Sequence, residues 1–236
     1  FGGYANGVAV NQQAAVVIPE DMPVGEALAL CVQYVTAWFC LEDRVSVMPG
    51  DHVLVQAAAG GVGTAMVQML KHKGCTIYGT AGSPEKLEYL RKQGVHHPIN
   101  YREQNFAEAL PKIKGFPGLA LALDSIGGRA FKDAYKFLRP GGRIIGFGAS
   151  SRQDKSSFFL NDIRLLFGFG FHAPPFLLMA SKSVIGVNML RIADNRPDVL
   201  RHCLVSVMEL WKAGKNQPVV DRVFPARELP QAHSYI

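Results

Sequence analysis

Residues His52–Ala57 read HVLVQA, an apolar run with strand character, and the chain leaves it through Gly60-Gly61-Val62-Gly63 into a helical pattern. Val62, Ala65, Met66, Met69 and Leu70 recur on one face of that helix, and Gly74 marks its end. A strand that runs directly into a helix cannot double back as a hairpin, so the following strand returns beside it in the same direction. The unit then repeats. Thr76–Thr80 reads as a second strand, and Ser83-Pro84-Glu85 as a helix start with Ser as cap, Pro at the first helical position and an acid in the first turn. That helix ends at Gly94. His97–Tyr101 is a third strand, 103–114 a helix, Leu119–Asp124 a strand, 129–138 a helix, RPGG (139–142) a turn and Arg143–Gly148 a fifth strand. LALALD (119–124) is apolar throughout, as a strand buried on both faces must be. Alternating strands and helices joined by short loops predict an α/β, doubly wound parallel sheet.

In such a sheet the carboxyl ends of the strands lie on one side, and ligands bind there. The segments predicted at that end are Ala58–Gly63, Thr80–Lys86, Tyr101, Asp124–Gly127 and Phe147–Ser150. Outside the repeating region, 1–18 reads as short strands and 23–42 as a helix with Leu28, Cys31, Val35 and Trp38 on one face. The segment 150–182 is irregular and Phe-rich; 183–189 is a strand, 197–213 a long helix, 217–224 a strand and 227–235 a helix start.

The formal charge is +6 over 236 residues, but Lys and Arg are scattered, with no dense basic run interleaved with aromatics. A nucleic-acid partner is not expected. The chain starts at Phe1, so an upstream part is expected to be missing, and no run reads as long enough to span a bilayer. Cys31, Cys40, Cys75 and Cys203 make no C-x-x-C pair, which reads as reduced thiols in a cytoplasmic protein. His96 and His97 point to opposite faces of a strand and are poor partners for one metal ion, so no metal site is expected.

The Ala57–Gly63 segment fits G-x-G-x-x-G with Ala58 in the first place. Gly60 admits close approach of a pyrophosphate, Gly63 lets the helix pack on the strand, and the helix N-terminus offers free N–H groups and a partial positive charge. The surrounding strand and helix are the context that supports a Rossmann-type dinucleotide site. Two other readings of the loop stand: a tight turn with no ligand, and a methyltransferase. A methyltransferase and an NAD site both want an acid at the end of the second strand for the ribose hydroxyls. Here that end is Gly79-Thr80-Ala81-Gly82-Ser83, followed by Lys86. A hydroxyl and a cation suit a 2′-phosphate, so the expected cofactor is NADPH. Arg91 and Lys92 read as solvated helix residues.

HVLVQAAAGGVGTAMVQ, GTAGSPEKL, HPINY, DSIGG and RPGGRIIGFGAS together resemble the zinc-independent quinone oxidoreductases of the medium-chain dehydrogenase/reductase superfamily. ALCVQYVTAW, GVHHPINY and SVIGV resemble the branch of the vesicle amine transport protein homologues. The resemblance implies a GroES-like catalytic domain beside the Rossmann domain. Residues 1–33 would be the tail of the former, 34–180 the cofactor domain, and 181–236 an incomplete returning segment. It implies that Ala59, Gly60, Gly61, Val62 and Gly63 form the pyrophosphate loop, with Ser83, Lys86 and Tyr101 around the 2′-phosphate. Thr36, Phe147, Gly148 and Asn188 would lie near the nicotinamide. Where zinc-dependent relatives often carry Cys, four residues before the threonine of this helix, this chain has Val32, so no catalytic zinc is implied. The implied chemistry is hydride transfer from NADPH to a small-molecule quinone or enone in a homodimer; the catalytic residues are not identified. Two alternatives remain: an NADPH-binding protein with a membrane or protein-interaction role, suggested by Phe158, Phe159, Phe167, Phe169, Phe171 and Phe176, and an enoyl-reductase module of a larger synthase.

Overall fold

The structure is a computed structural model that describes residues 5, 7–150 and 168–235. It contains a six-stranded sheet in the order β3-β2-β1-β4-β5-β6, with every neighbouring pair parallel. The strands are β1 (His52–Val55), β2 (Thr76–Ala81), β3 (His97–Asn100), β4 (Leu119–Asp124), β5 (Leu138–Gly146) and β6 (Ser183–Gly186). The order reverses between β1 and β4, which is the arrangement of the Rossmann fold and places a crevice at that junction.

The helices are α1 (Val24–Asp43), α2 (Gly61–His72), α3 (Pro84–Gln93), α4 (Phe106–Ala109), α5 (Arg129–Lys136), α6 (Pro174–Ala180), α7 (Met189–Asn195), α8 (Pro197–Lys212) and α9 (Leu229–Tyr235). Period-2 alternation divides the core into two layers. Val53, Val55, Ile77, Leu121, Leu123 and Ile145 join α1, α2 and α8 on one face. Leu54, Tyr78, Ala122 and Ile144 meet Phe106, Phe131 and Ala134 on the other. All six residues of β4 are buried, which explains its unbroken apolar run.

The cap signals of α3 are realised. The Ser83 hydroxyl accepts from the Lys86 N–H at 3.3 Å, and Gly94 closes the helix with φ +95°.

Several expectations are corrected. Among the described residues 7–18 there is a short 3₁₀ turn, Gln12–Ala14, and no strand. Val8, Val10 and Val17 stand exposed there with no strand beside them to complete a ladder. The segment 217–224 likewise forms no strand. The RPGG turn lies inside β5: from Leu119↔Leu138 to Leu121↔Arg143, β4 advances two residues and β5 five, so three residues protrude as a bulge. The helix expected over 103–114 is the short α4 followed by a 3₁₀ turn at Leu110–Lys112. The short helix α7 was not signalled by periodicity.

The helix α1 exists, and of its predicted face Val35 is buried and Trp38 packs against the core. Leu28 and Cys31 are exposed, while Ala27, Leu30, Tyr34, Val35 and Ala37 are buried. Two π-helical turns, Leu30–Tyr34 and Phe39–Asp43, each add a residue to the helical turn and shift the face away from 3.6-residue phase. At 20 residues and mean hydropathy 1.5, α1 is long and apolar enough to cross a membrane, contrary to the reading of the sequence, yet half of its most apolar window is packed inside the protein. Its buried residues belong to the core against α2 and α8, the placement of a core helix.

Candidate functional site

The site is built at the carboxyl end of β1. Three backbone contacts shape the turn that leaves it. The Gln56 N–H donates to Leu123 O at 3.0 Å, the Ala57 N–H to the Thr80 hydroxyl at 3.1 Å, and the Ala58 N–H to Thr80 O at 2.9 Å. Ala57 sits at φ +49°, a conformation that a residue with a Cβ rarely adopts, and Thr80 holds it there. The first backbone bond at the start of α2 runs from the Thr64 N–H to Gly60 O, so the N–H groups of Gly61, Val62 and Gly63 precede any partner within the helix.

Gly63 is where the helix meets the strand. A Cβ there would stand 2.4 Å from Ala57 O and 2.7 Å from Ala58 Cα, both backbone atoms. At Gly61 the atoms nearest a Cβ would all belong to the Gln33 side chain, with Nε2 at 2.3 Å. Gly60 and Gly61 are exposed while Gly63 is buried, so the open side of the loop faces outward for a ligand.

Tyr101 follows β3 and is 55% exposed, with its hydroxyl above Gly82 at the end of β2. Lys86 lies exposed in the first turn of α3, and among the described residues its ammonium has no hydrogen bond or ion pair. Ser83 is committed to the cap of α3. Its hydroxyl also bonds the fully exposed Glu85 carboxyl, which holds that group below its ordinary range. Tyr101, Ser83 and Lys86 thus border the same end of the sheet as the loop, and Gly79–Ser83 contains no acid, the Glu85 carboxyl lying in the first turn of α3.

A cavity of about 480 Å³ opens beside Tyr101. Gln56, Thr80, Asn105, Ile126, Arg129 and Ser150 are among its walls. Of these, Thr80, Ile126 and Ser150 fell in the predicted strand-end segments; Gln56, Asn105 and Arg129 did not. Asn105 caps α4, a helix whose limits the sequence misplaced, and Arg129 opens α5.

Asp124 ends β4 behind Gln56, one of the cavity's walls. It is fully buried, accepts from Gln56 Nε2 at 2.5 Å, and accepts from the N–H groups of Ile126 at 3.1 Å and Gly127 at 2.6 Å. Burial raises its pKa to about 6, against the lowering effect of those hydrogen bonds.

The remaining candidates sit apart from this cavity's wall. The Thr36 hydroxyl bonds back to Val32 O at 2.7 Å within α1. Phe147 and Gly148 follow β5, with the Phe147 N–H on Asp124 O at 2.9 Å. Asn188 follows β6 and caps α7 through the Arg191 N–H at 3.2 Å. Val32 is exposed, and among the described residues no cluster of three or more His, Cys, Asp or Glu is placed to hold a metal. His96 Nδ1 accepts from the Ile77 N–H, while His97 stacks on Tyr78. Of the phenylalanine group, Phe169 packs on Phe131, whereas Phe171 and Phe176 are exposed. Phe158, Phe159 and Phe167 lie outside the described residues.

A sequence profile for zinc-binding dehydrogenases matches residues 61–204. The chain is 33% identical over 228 residues to a synaptic vesicle membrane protein VAT-1 homolog of Danio rerio, covering 95% of this chain and 46% of that relative. It is 31% identical over 240 residues to a 2-haloacrylate reductase of Burkholderia sp, covering 100% of this chain and 67% of the relative. Among solved structures, CurK enoyl reductase matches with TM-score 0.75 and 27% identity, covering 93% of this chain and 61% of that one. The chain therefore spans between about half and two thirds of the length of these proteins.

Proposed function

For a chain that belongs to the zinc-binding dehydrogenase family, within the medium-chain dehydrogenase/reductase superfamily and near the VAT-1 homologues, we propose that the crevice at the β1/β4 junction binds NADPH and that the whole protein reduces quinones or α,β-unsaturated carbonyls. The observation that carries the nucleotide choice is the end of β2, where Gly79–Ser83 offers no acid for a ribose 2′-hydroxyl and the Lys86 ammonium has no partner among the described residues.

The residues present fit the group. The outward face of Gly60 leaves room for a diphosphate, and the N–H groups of Gly61, Val62 and Gly63 with the positive end of α2 supply its donors. Lys86 and the Tyr101 hydroxyl would hold the 2′-phosphate. Ser83, occupied as a cap, would contribute by turning its hydroxyl proton from the Glu85 carboxyl to the phosphate. Thr36, Phe147, Gly148 and Asn188 belong to the nicotinamide side of this reading.

Bound there, NADPH supplies hydride to an electron-poor carbon. The chain's own part is to orient the nucleotide and to exclude water, and a proton from solvent completes the two-electron reduction. The reduction does not involve a zinc ion in this reading, since Val32 has no ligating atom at the position the zinc-dependent relatives use. The 2-haloacrylate and enoyl reductases act, by their names, on electron-poor alkenes, which supports the same substrate class here. Residues 1–33 and 181–236 would belong to the catalytic domain that completes the pocket.

The test is turnover by the full-length protein with a panel of quinones and enones, followed as loss of reduced-nicotinamide absorbance. NADPH consumption dependent on one of these acceptors is expected. Nucleotide binding with no consumption across the panel would sink the reductase reading.

A further inference from the structure

We propose that Gln33 of α1 is a nucleotide-contacting residue, its carboxamide donating a hydrogen bond to the pyrophosphate held at the start of α2. The inference rests on the nucleotide reading above and adds a residue from outside the glycine loop.

Gln33 lies in the first π-helical turn of α1, Leu30–Tyr34. Its Nε2, Cδ and Oε1 stand 2.3, 2.4 and 2.9 Å from where a Cβ on Gly61 would be, so the amide rests directly on the first residue of α2. The side chain is half-buried, and among the described residues neither amide atom has a hydrogen-bond partner. An apolar side chain would cover Gly61 equally well. The unbonded carboxamide reaches solvent and is open to a polar ligand, and the free N–H groups beside it call for an anion.

The neighbouring residue holds Gln33 in place. The Tyr34 hydroxyl donates to Gln68 Oε1 at 2.8 Å and lies 3.0 Å from Gln217 O. Gln68 in turn bonds the backbone of Gln217 through both of its amide atoms, each at 3.0 Å. Gln68 is seven residues beyond Gly61, two turns along the same face of α2. The clamp therefore fixes α1 against α2, and the π turn is what presents adjacent Gln33 and Tyr34 to one partner helix.

The test uses the full-length protein, wild type and the variants Gln33→Ala, Gln33→Glu and Gly61→Ala. Each is titrated with NADPH and with adenosine 2′-monophosphate, which carries the adenine end without a pyrophosphate. Gln33→Ala is expected to weaken NADPH about tenfold and leave the monophosphate unchanged. Gln33→Glu should weaken NADPH further by charge repulsion, and Gly61→Ala, which displaces the amide, should match Gln33→Ala. Wild-type affinity for NADPH in Gln33→Ala, or equal losses for both ligands, overturns the assignment. Failure of the wild type to bind NADPH would instead overturn the nucleotide reading itself.

Discussion

Gly63→Ala is expected to destabilise the protein by about 2–4 kcal/mol and to abolish nucleotide binding. The added methyl would lie 2.4 Å from Ala57 O and 2.8 Å from the Ala58 carbonyl carbon. Neither atom can swing aside, because the Ala57 and Ala58 N–H groups are both tied to Thr80. Relief requires α2 to move off β1, which opens the loop and the packing of Met66 and Leu70 beneath it. For a domain of this size the melting temperature should fall by roughly 5–15 °C. Gly61→Ala is the control. The atoms nearest its methyl belong to the end of the flexible Gln33 side chain, so its melting temperature should stay near wild type. Equal melting temperatures for Gly63→Ala and wild type would mean that the helix does not pack on the strand as described.

Asp124→Asn is expected to stabilise the protein at pH 8 and to give no gain at pH 4. The Asp124 carboxyl is buried, and burial raises its pKa to about 6, above the ordinary aspartate value. A carboxyl with a raised folded pKa contributes fully below its unfolded pKa, near 4, and the contribution is lost as pH rises through about 6. Above that, the charged form costs about 3 kcal/mol, since the shift is roughly two units at 1.4 kcal/mol each. Asparagine keeps an oxygen for the Ile126 and Gly127 N–H groups and needs only Gln56 to turn its amide over. Urea unfolding at pH 4 and pH 8 checks this, with a gain of roughly 1–3 kcal/mol expected at the higher pH. A difference that does not change with pH would show that the buried carboxylate carries no such penalty.

Much of the fold was legible because its signals are local. The apolar strand His52–Val55, the glycine turn, the Ser83-Pro84 cap and the six-residue run of β4 each act within a few residues, and all formed where expected. The failures share a cause. The strand reading of 7–18 and 217–224 needed pairing partners that no local pattern reveals, and Val8, Val17 and Val223 stand exposed instead. The buried face of α1 was misjudged at Leu28 and Cys31, though not at Val35 and Trp38, and π turns break the 3.6-residue phase on which periodicity depends.

The site divides in the same way. The loop, Lys86 and Tyr101 follow from placing ligands at strand ends. Gln33 was invisible, because its meeting with Gly61 depends on how α1 packs, and Arg129 enters the cavity wall from the first turn of a helix. Asp124 fell within a flagged segment, yet its role as a buried acceptor for Gln56 and two backbone N–H groups required the three-dimensional contacts.

The proposed selection of NADPH by this crevice rests on Lys86. Its most direct measurement is a fluorescence titration of the full-length protein with NADPH and with NADH, repeated on Lys86→Ala. NADPH affinity is expected to be at least about tenfold above that for NADH, with the preference lost in the variant. Equal affinities in the wild type, or a preference that survives removal of the lysine, would contradict it.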